Sequence, residues 1–144
     1  MSPRDGISAA VRAATERGEP ALVAFLTAGY PSREKFREHL QAVAAGADVV
    51  EIGVPFTDPM ADGVTIQRSS HAALAQGVSL RWIFSELESM TRVKAPLLLM
   101  SYLNPLLAFG VERLADAAAR SPAAIMKYFW ARNGSVPAGR GGGT

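Results

Sequence analysis

The sequence of 144 residues contains no cysteine. This absence excludes a disulfide framework, a thiolate nucleophile and a metal site built on cysteine sulfur. It suits a reducing compartment, and we expect the protein to be cytoplasmic. The two histidines, His39 and His71, lie in helical, partly charged segments at a spacing that does not indicate a metal site. We therefore expect no bound metal.

Long apolar runs are also missing. The longest uncharged apolar run, residues 95–107, is interrupted by Pro96, Asn104 and Pro105, and it is too short to span a bilayer. The first ten residues lack the apolar segment of a secretory signal. These observations predict a soluble protein that is neither exported nor inserted into a membrane.

Basic residues do not dominate the body of the chain. Residues 1–120 carry 12 Lys or Arg and 13 Asp or Glu, whereas residues 121–144 carry three basic residues and no acid. A nucleic-acid-binding protein usually has a basic face interleaved with aromatic side chains, and the body lacks that pattern. Glycine-rich phosphate motifs are absent too, because Ala-Gly-Tyr-Pro at 28–31 follows the first apolar run. We expect neither nucleic acid nor a nucleotide as a ligand.

Strand and helix patterns alternate along the chain, after a leading amphipathic helix predicted for residues 4–17. Three apolar runs predict strands, at residues 21–27, 49–52 and 97–100, the first of them buried on both faces. Apolar side chains at helical spacing predict helices that begin after the caps Ser32 and Ser79, together with helices over residues 66–75 and 111–120. This alternation is typical of a parallel α/β fold, either a barrel or a doubly wound sheet.

One segment combines an apolar strand, a carboxylate at its end and two more carboxylates in the loop that follows. Residues 48–67, DVVEIGVPFTDPMADGVTIQ, place Glu51 at the end of a strand and Asp58 and Asp62 in the enlarged loop that follows. In parallel α/β folds, chemistry collects where strands end and loops begin, which indicates a catalytic or binding site here. Taken singly, a strand-terminal Glu is more often a structural hydrogen-bond acceptor, and an Asp before Gly63 is more often a turn residue.

Three segments together resemble the tryptophan synthase alpha chain family. They are LVAFLTAGYP at 22–31, ADVVEIGVPFTDPMADG at 47–63 and LLLMSYLNPLLAFG at 97–110. Their order and spacing agree with the family over roughly residues 5–120. The resemblance implies a TIM (β/α)8 barrel and a lyase of tryptophan biosynthesis that cleaves indole-3-glycerol phosphate to indole and glyceraldehyde 3-phosphate. It implies no cofactor in this chain, because pyridoxal phosphate belongs to the beta chain, the partner in the family's α2β2 tetramer.

The resemblance also implies roles for single residues. Glu51 matches the acid/base that moves protons at the reacting bond, and Asp62 matches the residue that accepts the indole N–H. Four residues match the lining of the indole pocket, namely Phe25, Ile66, Met100 and Tyr102. Pro55 and Asp58 match loop positions that contact the beta chain. Without the resemblance, the pocket residues would be read as ordinary core and the loop as a stiff connection.

The sequence departs from the family in two places. Val64 stands where the family commonly has proline. After Arg120 the resemblance stops, so we divide the chain into a partial TIM-barrel domain of three β/α units, residues 1–120, and a divergent, flexible tail, residues 121–144. Three strands cannot close a barrel, and the third strand would keep an unpaired edge. The phosphate-binding loops after strands seven and eight would be missing, so we expect the truncated chain to have negligible lyase activity.

Two alternatives remain open from the sequence. One is a non-catalytic barrel remnant that associates with itself or with a beta chain through the loop at residues 55–58. The other is a different phosphosugar barrel enzyme, whose specificity would be set outside the matching segments.

Overall fold

The computed structural model describes residues 3–128, in which helices and strands alternate. The helices are α1 (Pro3–Glu16), α2 (Phe36–Gly46), α3 (Val64–Ala75), α4 (Leu80–Ser89), α5 (Leu103–Phe109) and α6 (Val111–Arg120). The strands are β1 (Val23–Thr27), β2 (Val49–Gly53), β3 (Leu97–Tyr102) and β4 (Ala123–Tyr128). Every connection between consecutive strands therefore contains at least one helix.

The strands form one parallel sheet in the order β1-β2-β3-β4. A doubly wound sheet reverses its strand order at a switch point, whereas a barrel keeps spatial order and chain order the same. The observed order is that of a barrel wall. The register places Phe25 beside Glu51 and Glu51 beside Leu98, so these three residues share one face of the sheet.

The apolar core lies between the opposite face of the sheet and the helices. Its largest fully buried side chains include Ile52, Leu97 and Leu99 from β2 and β3. Phe36 and Leu40 of α2 pack against them, together with Ile83 and Leu87 of α4. The helical spacing in the sequence predicted this inward stripe, and the structure confirms it for both helices.

The two predicted helix caps have different outcomes. The Ser79 hydroxyl accepts the Trp82 N–H at 3.2 Å and caps α4, as predicted. The prediction for Ser32 is wrong, because α2 begins only at Phe36 and Lys35 occupies its cap position without a side-chain hydrogen bond. The Ser32 hydroxyl instead donates to the Glu34 carboxylate at 2.8 Å, within a turn that precedes the helix.

The edges of the sheet also differ from the predictions. β1 is not buried on both faces, since Val23 is 47% exposed. One edge of β1 is also unpaired within residues 3–128, where the strand pairs with β2 alone. The predicted unpaired edge of the third strand is wrong, because β3 pairs with β4 along its whole length, from Leu97–Ala123 to Tyr102–Tyr128. β4 occupies the first part of the predicted tail. The flexible remainder predicted for residues 129–144 lies outside the described residues.

Helix α1 contacts β2 and β4 and is connected to the start of β1 through Asp48. The Asp48 carboxylate accepts the Leu22 N–H at 2.8 Å and the Arg17 Nη2 hydrogen at 3.0 Å. These two bonds, first that from Leu22 and then that from Arg17, lower the pKa of Asp48 below its usual value. The carboxylate therefore fixes the beginnings of β1 and β2 relative to α1.

Residues 3–128 also lack two features that would bear on function. No helix within residues 3–128 is long and apolar enough to cross a membrane. The same residues contain no group of three or more His, Asp or Glu side chains that could hold a metal ion.

Candidate active site

A pocket lies at the C-terminal ends of the first three strands, between the sheet and α3. Five of the residues predicted from the sequence line it, namely Phe25, Asp62, Ile66, Met100 and Tyr102. The space among the lining side chains is about 330 Å³, part of which is open to solvent. Residues from β1, β3, α3 and the loop after β2 thus meet at one place, although they are far apart in the sequence.

Five further residues line the pocket and were not predicted, namely Thr27, Gly53, Val54, Ser70 and Ser101. A sequence signal existed for three of them. Thr27 and Gly53 are the last residues of neighbouring parallel strands, and the ends of such strands lie at the same edge of a sheet. Ser70 follows Ile66 by four residues in α3, and residues at that spacing lie on the same face of a helix.

Glu51, the other predicted catalytic residue, is not part of the pocket lining. It precedes Gly53 by two residues in β2, so the alternation of the strand directs both toward the same face, which also carries Phe25 and Leu98. The side chain is half-buried. Its carboxylate makes no hydrogen bond or ion pair with the side chains of residues 4–123 or with the described backbone, so the described contacts give it no role as a structural acceptor.

Asp62 combines a structural main chain with an available side chain. Its N–H donates to the Pro59 carbonyl at 3.0 Å, and its own carbonyl accepts the Gln67 Nε2 hydrogen at 2.9 Å. The main chain of Asp62 therefore closes a turn that begins at Pro59. The half-buried carboxylate faces the pocket and has no hydrogen-bond partner among the described side chains and backbone.

Phe25 relates the two carboxylates to each other. It is the register partner of Glu51 in the sheet and also lines the pocket beside Asp62. Both acids consequently lie on the same side of the sheet, separated by apolar surface. A largely apolar slot with one carboxylate in its lining, and a second carboxylate on the same face of the sheet, suits a flat, largely apolar ligand that carries one N–H group.

The loop between β2 and α3 presents a mixed surface. Of the two positions predicted to contact a partner, Asp58 is exposed but Pro55 is buried, because the neighbouring Val54 N–H donates to the Met100 carbonyl at 2.9 Å and holds the loop against β3. Met60 is 81% exposed and was not predicted as a contact. An exposed apolar side chain next to Asp58 extends the surface available to a partner.

A pair of buried hydroxyl groups attaches α3 to the sheet. Thr27 Oγ1 and Ser69 Oγ lie 2.7 Å apart, and Ser69 Oγ also donates to the Ile66 carbonyl at 2.9 Å. These bonds join the end of β1 to the first turns of α3. Ile66 is thereby held over the pocket.

Gly53 provides the space in which the Phe25 ring lies. A Cβ atom at Gly53 would lie 2.5 Å from Cζ and 2.7 Å from Cε2 of Phe25. We expect Gly53→Ala to push the ring toward the pocket and to lower the free energy of unfolding by about 1–3 kcal/mol, as overpacking does. Urea denaturation measures the loss. When Phe25 is first shortened to leucine, Gly53→Ala should lose little stability. An equal loss with Phe25 and with Leu at this position would contradict this explanation.

Comparisons with known proteins agree on one family. The family model of the tryptophan synthase alpha chain matches residues 11–126, and so extends into β4. The alpha chain of Nitratidesulfovibrio vulgaris (strain Hildenborough) is 50% identical over 111 residues, which are 76% of this chain and 43% of that protein. The alpha chain of Desulfovibrio desulfuricans is 52% identical over 112 residues, which are 76% of this chain and 44% of that protein.

Solved structures give the same result. The alpha subunit from Legionella pneumophila str. Paris superposes with a TM-score of 0.74 at 33% identity, over 82% of this chain and 46% of that one. Tryptophan synthase from M. tuberculosis in its aminoacrylate-bound form gives a TM-score of 0.77 at 30% identity, over 85% of this chain and 51% of that one.

The length of the match and the identity over it decide the assignment. The chain spans less than half the length of the curated relatives named above. Over that span, the three segments identified in the sequence, the strand order of a barrel and the family model agree. The chain belongs to the tryptophan synthase alpha chain family.

Proposed function

We propose that this chain supplies the acid/base part of a lyase site that cleaves indole-3-glycerol phosphate to indole and glyceraldehyde 3-phosphate. One observation carries the proposal. Glu51 and Asp62, two carboxylates without a protein partner among the described residues, lie on the same side of the sheet around Phe25, beside an apolar pocket at the strand ends.

The chemistry explains the need for a proton carrier. Cleavage requires a proton on ring carbon 3 and removal of the proton from the hydroxyl group on the adjoining side-chain carbon. The bond between these two carbons then breaks, its electron pair returns to the ring, and the side-chain carbon becomes the aldehyde. One proton is delivered and one is removed, so a single carboxyl group that first donates and then accepts balances the reaction. We assign this role to Glu51.

The second carboxylate is needed for the positive charge that develops on the indole nitrogen. Protonation at ring carbon 3 places positive charge on the indole nitrogen. A carboxylate that accepts the N–H stabilises that charge in the transition state. We assign this role to Asp62, because it lines the pocket and its main chain is fixed by the turn. Phe25, Ile66 and Met100 provide apolar surface for the bicyclic ring.

The partner and the location follow from the family and stand here as proposals. We propose that the surface around Asp58 and Met60 contacts a tryptophan synthase beta chain in an α2β2 assembly, and that the beta chain holds the pyridoxal phosphate. This chain then needs no cofactor of its own. We propose the cytoplasm as its location.

We expect the 144-residue polypeptide, assayed alone, to release indole at a negligible rate. The described residues contribute four strands, whereas barrels of this kind close with eight and hold the substrate phosphate on the loops after strands seven and eight. The proposed function is therefore best tested in a hybrid chain, in which residues 11–126 replace the matching segment of the Nitratidesulfovibrio vulgaris alpha chain.

Asp62→Asn in the hybrid chain tests the proposed function directly. We expect indole release to fall by about a hundredfold or more, because one transition-state hydrogen bond to a charged group is lost. Indole formation from indole-3-glycerol phosphate, followed by chromatography, measures the effect. The control is Asp116→Asn, an exposed aspartate on α6, which should not change the rate. Equal rates for the two variants, or a folded hybrid chain with no turnover, would contradict the proposal.

A further inference from the structure

We propose that Tyr102 positions Asp62, in addition to lining the pocket. Its hydroxyl oxygen accepts the main-chain N–H of Ala61 at 3.0 Å, directly before Asp62 in the chain. The bond holds the loop after β2 so that the Asp62 carboxylate faces the pocket. The inference rests on the proposed function, since it concerns how the carboxylate assigned to the indole N–H is held.

Tyr102 is well placed to hold a loop. It is the last residue of β3, a strand paired with β2 on one side and with β4 on the other. Its ring also contacts Phe56, with 5.0 Å between the ring centroids and 31° between the ring planes. One side chain on the sheet therefore contacts the loop at two points, near its beginning and just before Asp62.

The other hydrogen bonds between the loop and the described strands and helices lie outside residues 58–61. The Val54 N–H is bonded to β3, the Thr57 carbonyl lies 3.4 Å from His71 Nε2 of α3, and the Asp62 carbonyl accepts from Gln67 of α3. For residues 58–61, the bond from Ala61 to Tyr102 is the one hydrogen bond to a strand or helix within the described part of the chain. Loss of this bond would release the segment that precedes the carboxylate.

The start of α3 makes the bond more important in this chain. Val64 is the first helical residue, where proline is favoured because its backbone angle is already helical and no N–H is needed. Valine leaves that angle free, so the loop has one less restraint at its far end. Gly63 has φ −69° and ψ 164°, which a residue before proline readily adopts. Val64→Pro is therefore expected to compensate in part for a lost Tyr102 hydroxyl.

Amide hydrogen exchange in the 144-residue chain, followed by NMR, measures the bond itself. We expect Tyr102→Phe to accelerate exchange of the Ala61 amide by about fivefold or more, because a typical hydrogen bond is lost. Exchange of the Val50 amide, which donates to the Pro96 carbonyl at 3.1 Å in the sheet, should not change and reports that the fold is intact. Tyr30→Phe, which removes an exposed phenol, is the matched control. Addition of Val64→Pro should reverse part of the effect.

Titration of the same samples with indole connects the bond to the site. We expect Asp62→Asn and Tyr102→Phe each to weaken indole binding severalfold, with partial recovery on Val64→Pro in the Tyr102→Phe background. Unchanged Ala61 exchange in Tyr102→Phe would overturn the inference, as would indole binding weakened by Asp62→Asn but not by Tyr102→Phe. Faster Ala61 exchange together with indole binding that is insensitive to Asp62→Asn would support the bond and contradict the proposed function instead.

Discussion

Glu51→Gln is expected to lower indole release by about a thousandfold in the hybrid chain while leaving the fold unchanged, because general acid–base catalysis contributes about 10²–10⁴-fold. Glutamine keeps the size of the side chain but cannot donate and then accept the proton. The fold should tolerate the change, because the half-buried carboxylate has no hydrogen bond or ion pair with the described side chains, residues 4–123. The turnover number for indole formation measures the loss, and circular dichroism with urea denaturation checks the fold.

Two companion variants make the result specific to Glu51. Glu51→Asp keeps the acid but withdraws it by one methylene group. The carboxyl group is then misplaced for proton transfer, so we expect a rate between those of the parent and of Glu51→Gln. Glu16→Gln changes an exposed glutamate at the end of α1 and should leave the rate unaltered. A Glu51→Gln variant that retains turnover within about tenfold of the parent would exclude Glu51 as the proton carrier. A variant that loses its fold would show a structural role that the contacts do not indicate.

The periodic elements could be predicted from the sequence because burial alone determines them. The stripes of α2 and α4 and the buried strand β2 need one apolar face each, which the spacing of Leu40 and Leu87 with their neighbours supplies. Helix α5 was not predicted, because Asn104 and Pro105 interrupt the apolar run there, whereas proline is tolerated in a first helical turn, where it lies here. Strand β4 was not predicted because its short apolar pattern was assigned to the tail.

Part of the site, like part of the fold, could be predicted from the sequence. Five lining residues could be brought together from the sequence, because the ends of parallel strands share one edge and the resemblance fixed the loop spacing. The bond from Ala61 to Tyr102 and the burial of Pro55 could not, because both depend on how the loop folds back onto β3. Loop contacts of this kind depend on tertiary packing, which no local pattern encodes.

Gly29→Ala should have the largest effect on stability, with a loss of about 3 kcal/mol or more in the free energy of unfolding. Gly29 lies in the turn after β1 with φ +77°, a backbone conformation that costs alanine about 1–2 kcal/mol. The added Cβ would also overlap Cγ2 of Val78, with Val78 Cβ at 3.5 Å and Trp82 Cζ3 at 3.6 Å. Val78 is 3% exposed and has no room to withdraw. Urea denaturation measures the loss.

Gly18 separates the two causes, because it has the same φ of +77° and a Cβ built there meets no atom within 4 Å. Gly18→Ala should therefore cost only the backbone strain, about 1 kcal/mol. The difference between the two variants is the cost of the overlap with Val78, and it should shrink when Gly29→Ala is combined with Val78→Ala. Equal losses at the two glycines would mean that the turn after β1 yields to the new side chain. In that case the end of β1, where Thr27 lines the pocket, would deform more easily than its packing indicates.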